Sequence, residues 1–104
     1  MNQGAIWLAN LDPTVGSEIQ KTRPCVILSP AEMTYLKTIM VAPMTTGNRA
    51  APFRIAVNFD DKQGLILLDQ IRTLDKMRLI KKLGVLDTPT HSAMLTVLRE
   101  MFEE

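Results

Sequence analysis

Short apolar runs broken by turn residues dominate the first eighty-odd positions, and only the C-terminus shows a helical period. Ala5-Ile6-Trp7-Leu8-Ala9-Asn10-Leu11 reads as a first strand. Asp12-Pro13-Thr14-Val15-Gly16 turns the chain, because Asp before Pro disfavours regular structure and Gly accepts positive φ. Pro24-Cys25-Val26-Ile27-Leu28 is the second strand, with Pro tolerated at its start. Ser29-Pro30-Ala31-Glu32 carries a helix-start signal: a capping Ser, Pro at the first position and a capping-box Glu. The helix it opens must be short, since Thr38 to Pro43 is a β-rich third strand. Met44 to Pro52 is loop-like in composition. Phe53, Ile55, Val57 and Phe59 then alternate with polar or small residues, as in a half-buried antiparallel strand.

Asp60 to Gly64 predicts a turn, and Leu65-Ile66-Leu67-Leu68 a buried strand running into Asp69-Gln70-Ile71-Arg72. Thr73 to Lys76 reads as a helical turn capped by Thr73. Leu79 to Leu86 is ambiguous in period, but Gly84 and the β-branched residues favour a strand. Asp87 or Thr88 caps the last element, Pro89 opens it, and Met94, Val97, Leu98 and Met101 recur at helical spacing. Five or six mostly antiparallel strands and one terminal amphipathic helix predict a curled sheet or small barrel covered by that helix.

The chain has 104 residues, which fits one domain over 1–104. A core of this size is modest, so a dimer interface would add stability. The longest uncharged apolar run, Ile39 to Met44, is too short to span a bilayer, and the N-terminus lacks signal-peptide character. With Cys25 as the sole cysteine no internal disulfide can form, and a cytoplasmic protein is expected. Cys25 lies in an apolar strand and reads as a small hydrophobe. The net charge of +1 conceals an uneven distribution: Ile19 to Asn58 holds Lys21, Arg23, Lys37, Arg49 and Arg54 against Glu32 alone. Lys76, Arg78, Lys81 and Lys82 form a second basic group, and the tail ends in Glu103-Glu104. This is no polybasic protein that binds nucleic acid by charge alone, but it can hold a polyanion in one groove.

Three polar sites sit at strand ends: Glu18 to Arg23, Thr45-Thr46, and Asp69-Gln70 with Arg72. Polar residues occur in any surface hairpin, and a carboxylate after four aliphatic residues also serves as a structural acceptor for loop amides. A single histidine, His91, cannot make a two-histidine acid–base pair within one chain. No Cys/His cluster fits zinc, no phosphate-binding Gly-rich loop precedes a Lys, and the carboxylates are not spaced as metal ligands. The remaining kit of Arg, carboxylate and hydroxyl suits RNA cleavage by its own 2′-OH. The protein then has only to align the chain, accept the 2′ proton and stabilise charge on the phosphate.

Ile6-Trp7-Leu8, Leu11-Asp12-Pro13-Thr14-Val15-Gly16-Ser17-Glu18 and Lys21-Thr22-Arg23-Pro24 resemble the opening of the MazF/PemK toxin family. Val41-Ala42-Pro43-Met44-Thr45-Thr46 with Pro52-Phe53 is similar to its second block. Leu68-Asp69-Gln70-Ile71-Arg72-Thr73-Leu74-Asp75-Lys76, then Arg78-Leu79, is similar to its third. The resemblance implies a mainly β, SH3-like barrel, a strongly curled antiparallel sheet with a short inserted helix and the C-terminal amphipathic helix, acting as a homodimer. It implies a type II toxin–antitoxin toxin that cleaves single-stranded RNA in a sequence-selective, metal-independent way, leaving 2′,3′-cyclic phosphate and 5′-hydroxyl ends. No cofactor is implied. The implied partners are RNA, a second copy, and a cognate antitoxin whose flexible acidic tail covers the RNA groove; no membrane partner is implied.

By the same resemblance Arg23, Thr45, Glu18 and Asp69 take catalytic positions, and Ser17, Lys21, Thr46, Arg49, Phe53, Gln70 and Arg72 take RNA-contact positions. An arginine is held protonated in proteins, so the electrostatic role suits Arg23 better than proton donation. The chain departs from the plasmid-borne branch of the family, with Ser17 where that branch has His and Leu67 where it has Arg. Asp69 is accordingly either catalytic, as in that branch, or structural. Two other readings differ in class. One is a non-catalytic RNA- or protein-binding module, for which one Trp, one Tyr and three Phe offer a thin stacking platform. The other is a gyrase-poisoning toxin of the same fold, which uses a C-terminal Trp-Gly-Ile that this chain lacks.

Overall fold

A computed structural model describes residues 1–47 and 49–103. Asn48, inside the predicted loop, and Glu104, at the acidic tail, lie outside the described residues. The strands are β1 (Ala5–Asn10), β2 (Thr22–Ile27), β3 (Thr38–Thr45), β4 (Arg54–Phe59), β5 (Lys62–Leu67), β6 (Arg72–Asp75) and β7 (Leu79–Val85), followed by helix α1 (Thr88–Met101). Every pairing is antiparallel, in the order β4-β5-β3-β2-β1-β7 with β6 also on β3. The sheet curls into a half-barrel, mainly β, with one α-helix among the described residues, at its C-terminal end.

β3 is the hub. One of its edges pairs with β2, from Cys25↔Pro43 to Ile27↔Val41. The other takes β5 at Met44↔Ile66 and Thr45↔Leu65, then β6 from Val41↔Arg72 to Thr38↔Asp75. β5 and β6 are thus one path along β3, interrupted by a 3-10 turn at Leu68–Gln70. That interruption displaces Asp69 and Gln70 from the ladder.

Both faces of the sheet are covered, which is why β2 and β3 read as continuous apolar runs rather than alternating ones. Against one face β4, β5 and α1 enclose Ile6, Val26, Ala42, Met44, Ile66 and Met94, with Val97, Leu98 and Met101 closing the edge. Against the other, Leu11, Cys25, Ile27, Ile39, Val41 and Leu74 pack together. Ile55 and Val57 point inward while Ala56 and Asn58 face out, as the alternation predicts.

Five local expectations change. Ser29 does not cap a helix: it is buried, and its Oγ accepts from Met40 N–H at 2.8 Å. The predicted inserted helix is only a 3-10 turn, Ala31–Met33, with no side-chain cap. Met44 and Thr45 belong to β3, because pairing with β5 overrides their loop-like neighbours. Thr73 lies in β6, and the helical turn is Lys76–Arg78, capped by Asp75 accepting from Met77 N–H. The turn predicted over Asp60 to Gly64 contracts to Asp60-Asp61, with φ of 55° and 60°, joining paired Phe59 and Lys62 as a two-residue hairpin. α1 starts as predicted, with Asp87 accepting from Thr90 N–H at 2.8 Å.

Candidate active site

Beyond Pro24 on β2 and Pro43 on β3 the two strands separate. Their last matched pair is Cys25↔Pro43. Neither proline has an N–H for the ladder. Carried two residues further, the register sets Arg23 opposite Thr45, on strands no longer held to each other. Each is anchored on its outer side: Arg23 pairs with Ala9 of β1, and Thr45 with Leu65 of β5. The fork opens a cleft of about 250 Å³ floored by Pro24, Met44, Val57 and Phe59. Arg23, Thr45, Thr46, Asp60 and Lys62 form its polar lining.

The Arg23 guanidinium spends only its Nε–H on protein, donating to Gln20 O at 3.4 Å. Its two Nη groups have no protein partner among the described residues, so the planar fork is available to an anion. Thr45 Oγ1 accepts the Gly47 N–H at 3.2 Å, which leaves its own O–H to donate. Behind it, a Cβ on Gly64 would stand 2.8 Å from Thr45 O, so only glycine lets β5 approach this closely.

A second cleft lies beside Pro43 and holds Ser17, Glu18, Asp69, Gln70 and Arg72. Here the polar groups hold the fold. Asp69 takes Nε–H and Nη2–H of Arg54 on its two oxygens, at 3.1 and 3.0 Å, and Arg54 Nη1 donates to Arg49 O at 2.9 Å. Hydrogen bonding from Arg54 pulls the Asp69 carboxyl below its ordinary value, and the same bond raises Arg54. Gln70 Oε1 accepts Ile19 N–H at 2.8 Å, and Arg72 Nη1 donates to Leu11 O at 3.0 Å. These two bonds tie the β1–β2 loop to the turn after β5 and to the start of β6. Glu18 Oε1 accepts Val15 N–H, closing a turn in that loop and leaving Oε2 without a protein partner among the described residues.

The structure therefore gathers Arg23, Thr45 and Thr46 in one cleft, and Ser17, Glu18, Asp69, Gln70 and Arg72 in the next. Lys21, Arg49 and Phe53 line neither cleft. Lys21 holds the loop through its backbone, at φ 69° with N–H donated to Asp12 Oδ1, while Arg49 and Phe53 are exposed. Phe59, Asp60, Lys62 and Gly64 were not singled out by sequence. A glycine directly before a buried strand is a sign of close backbone approach, and Gly64 carried that sign. Lys62 carried none until the hairpin contracted. Among the described residues, no three His, Cys, Asp or Glu side chains cluster as a metal site would need. No helix among them is long and apolar enough to cross a membrane.

This half-barrel matches a known class. The model of the family described as PemK-like, MazF-like toxin of type II toxin-antitoxin system matches residues 2–102. The chain belongs to that family. It is 40% identical over 93 residues to Endoribonuclease MazF of Staphylococcus epidermidis, covering 83% of this chain and 78% of that protein. To Endoribonuclease PemK of Escherichia coli it is 41% identical over 81 residues, 72% of this chain and 61% of that protein. The fold is similar to the crystal structure of MazF (Form-I) from Deinococcus radiodurans, with a TM-score of 0.84, 23% identity, and 97% and 94% of the two chains covered. The Mycobacterium tuberculosis toxin MazF-mt6 superposes with a TM-score of 0.78 at 24% identity, over 94% of this chain and 95% of that one.

Proposed function

We propose that this chain is the endoribonuclease toxin of a type II toxin–antitoxin pair, cleaving single-stranded RNA between Arg23 and Thr45. The observation that carries the reading is the pair of unspent Nη groups of Arg23 in the same cleft as the Thr45 hydroxyl. Family membership and the names of the relatives support the activity.

The chemistry follows from what each group has free. The RNA 2′-OH attacks the adjacent phosphorus, the P–O5′ bond breaks, the leaving 5′-oxygen takes a proton from water, and a 2′,3′-cyclic phosphate and a 5′-hydroxyl result. Arg23 gives parallel N–H bonds to the non-bridging oxygens, where negative charge grows, and Thr45 O–H adds a third donor. Glu18 accepts the 2′ proton on its unengaged Oε2, whereas Asp69, with both oxygens committed to Arg54, shapes the site rather than titrating in it. Ser17, Thr46, Gln70 and Arg72 line the path of the flanking nucleotides. No step calls on a metal or a cofactor. The protein works in the cytoplasm as a homodimer, and an antitoxin with a flexible acidic tail occupies the same basic groove.

The test is single-turnover cleavage by the parent, Arg23→Ala and Thr45→Ala, with RNA binding and melting measured alongside. The reading requires both variants to fold and bind RNA while cleavage drops by roughly 10²-fold or more.

A further inference from the structure

Lys62 is the second cation of the Arg23–Thr45 cleft, and its place is fixed from both sides. On one side the Asp60-Asp61 turn, with both residues at positive φ, pairs Lys62 with Phe59. On the other, Leu65 is paired with Thr45, so Lys62 stands three residues along β5 from the reacting centre, about 10 Å of strand. It is exposed and makes no ion pair or side-chain hydrogen bond among the described residues. The half-buried Phe59 ring lines the same cleft as Lys62 and Arg23 and is backed by Gly84, where an added Cβ would be 3.4 Å from Phe59 Cε1.

We propose that Lys62 binds a backbone phosphate of the RNA neighbouring the scissile one, so that the strand leaves the reacting centre along the β4–β5 hairpin with a base over Phe59. This rests on the ribonuclease reading above. An extended single strand is held by cations that track its phosphates and by ring faces that accept bases. Arg23, Lys62 and Phe59, lining one cleft, provide both kinds of group. Asp60, the carboxylate of the cleft, sits where the turn demands φ 55°, a conformation that Asp tolerates. A lysine on a partly unpaired strand can also serve only to block edge-to-edge pairing. That role leaves RNA affinity unmoved, so binding separates the two.

The experiment measures binding of a mixed-sequence 2′-O-methyl RNA, which lacks the attacking hydroxyl, across a range of salt. Parent, Lys62→Gln, Lys62→Arg and Lys37→Gln are compared, each with its melting curve. Lys37 precedes β3 at the end far from Thr45 and serves as the control for loss of any surface charge. Lys62→Gln should weaken binding several-fold, similarly for all sequences, and lower the slope of log affinity against log salt by about 0.7. Lys62→Arg should restore both, and Lys37→Gln should change neither. Parental affinity and slope in Lys62→Gln would overturn the assignment while leaving the ribonuclease reading intact. A parent that neither binds nor cleaves RNA would remove that reading, and this one with it.

Discussion

Arg54 grips Asp69 by two parallel hydrogen bonds, at 3.1 and 3.0 Å, and so occupies both oxygens of the carboxylate at the turn after β5. A general base needs a pKa near the working pH. Asp69 has its pKa moved the other way, downward, by the Arg54 bond. Asp69→Asn should therefore leave the shape of the neutral-range pH–rate profile unchanged. Stability should fall by about 1 kcal/mol, the upper end for a solvent-exposed pair. Because the folded pKa is depressed, this contribution is complete above the ordinary aspartate value of about 3.9 and is lost as pH falls through the lower folded value. Urea unfolding of parent and variant should differ at neutral pH and converge in strong acid. A gap that persists there would show that the ion pair is not its source.

Glu18 presents the contrasting case, with one oxygen on Val15 N–H and the other free. Glu18→Gln keeps the shape and the acceptor for Val15 but cannot take a proton. Cleavage should slow by roughly 10²-fold, with the melting temperature close to parental. Parental cleavage by the folded variant would reassign the proton to another group.

Gly64→Ala tests whether the backbone behind Thr45 matters. The new methyl would meet Thr45 O at 2.8 Å, and a backbone atom cannot swing aside as a side chain can. The strands must part, at a cost of about 1–3 kcal/mol, and Thr45 moves with β3. Melting should register the loss, and the cleavage rate should fall further than substrate affinity does. Equal activity and stability would mean the close approach relaxes without consequence.

The strands and the terminal helix were legible because their signals are local: alternation in β4, caps and spacing in α1. Arg23 and Thr45 stood among the polar groups at strand ends, and the resemblance then gave them catalytic positions. Their juxtaposition depends on the β2–β3 register and on prolines that part the strands, and it became visible only with the sheet built. Asp69 remained open in the sequence because its partner, Arg54, lies fifteen positions away on β4. Ser29 misled because a buried hydroxyl bonding to β3 and a helix cap share one sequence pattern. Lys62, Phe59 and Gly64 entered the site through a hairpin two residues long where a wider turn was expected.

Cys25 supplies a probe of folding separate from activity. It is buried, and burial pushes its thiol up to about 12, with Arg72 only partly offsetting this. Thiolate is the reactive form, so iodoacetamide should leave the native protein unmodified at neutral pH. Labelling should follow the fraction unfolded across a urea titration. Rapid alkylation of native protein would contradict the closed packing against Ile27 and Val41.

The most direct test of the account is digestion of a long, mixed-sequence single-stranded RNA by purified protein in excess EDTA, with Arg23→Ala run beside it and the ends mapped. The account predicts cuts at a short recurrent sequence, 5′-hydroxyl and 2′,3′-cyclic phosphate ends, and no cutting by the folded variant. Parental cleavage by Arg23→Ala, or intact RNA after exposure to folded parent, would contradict it.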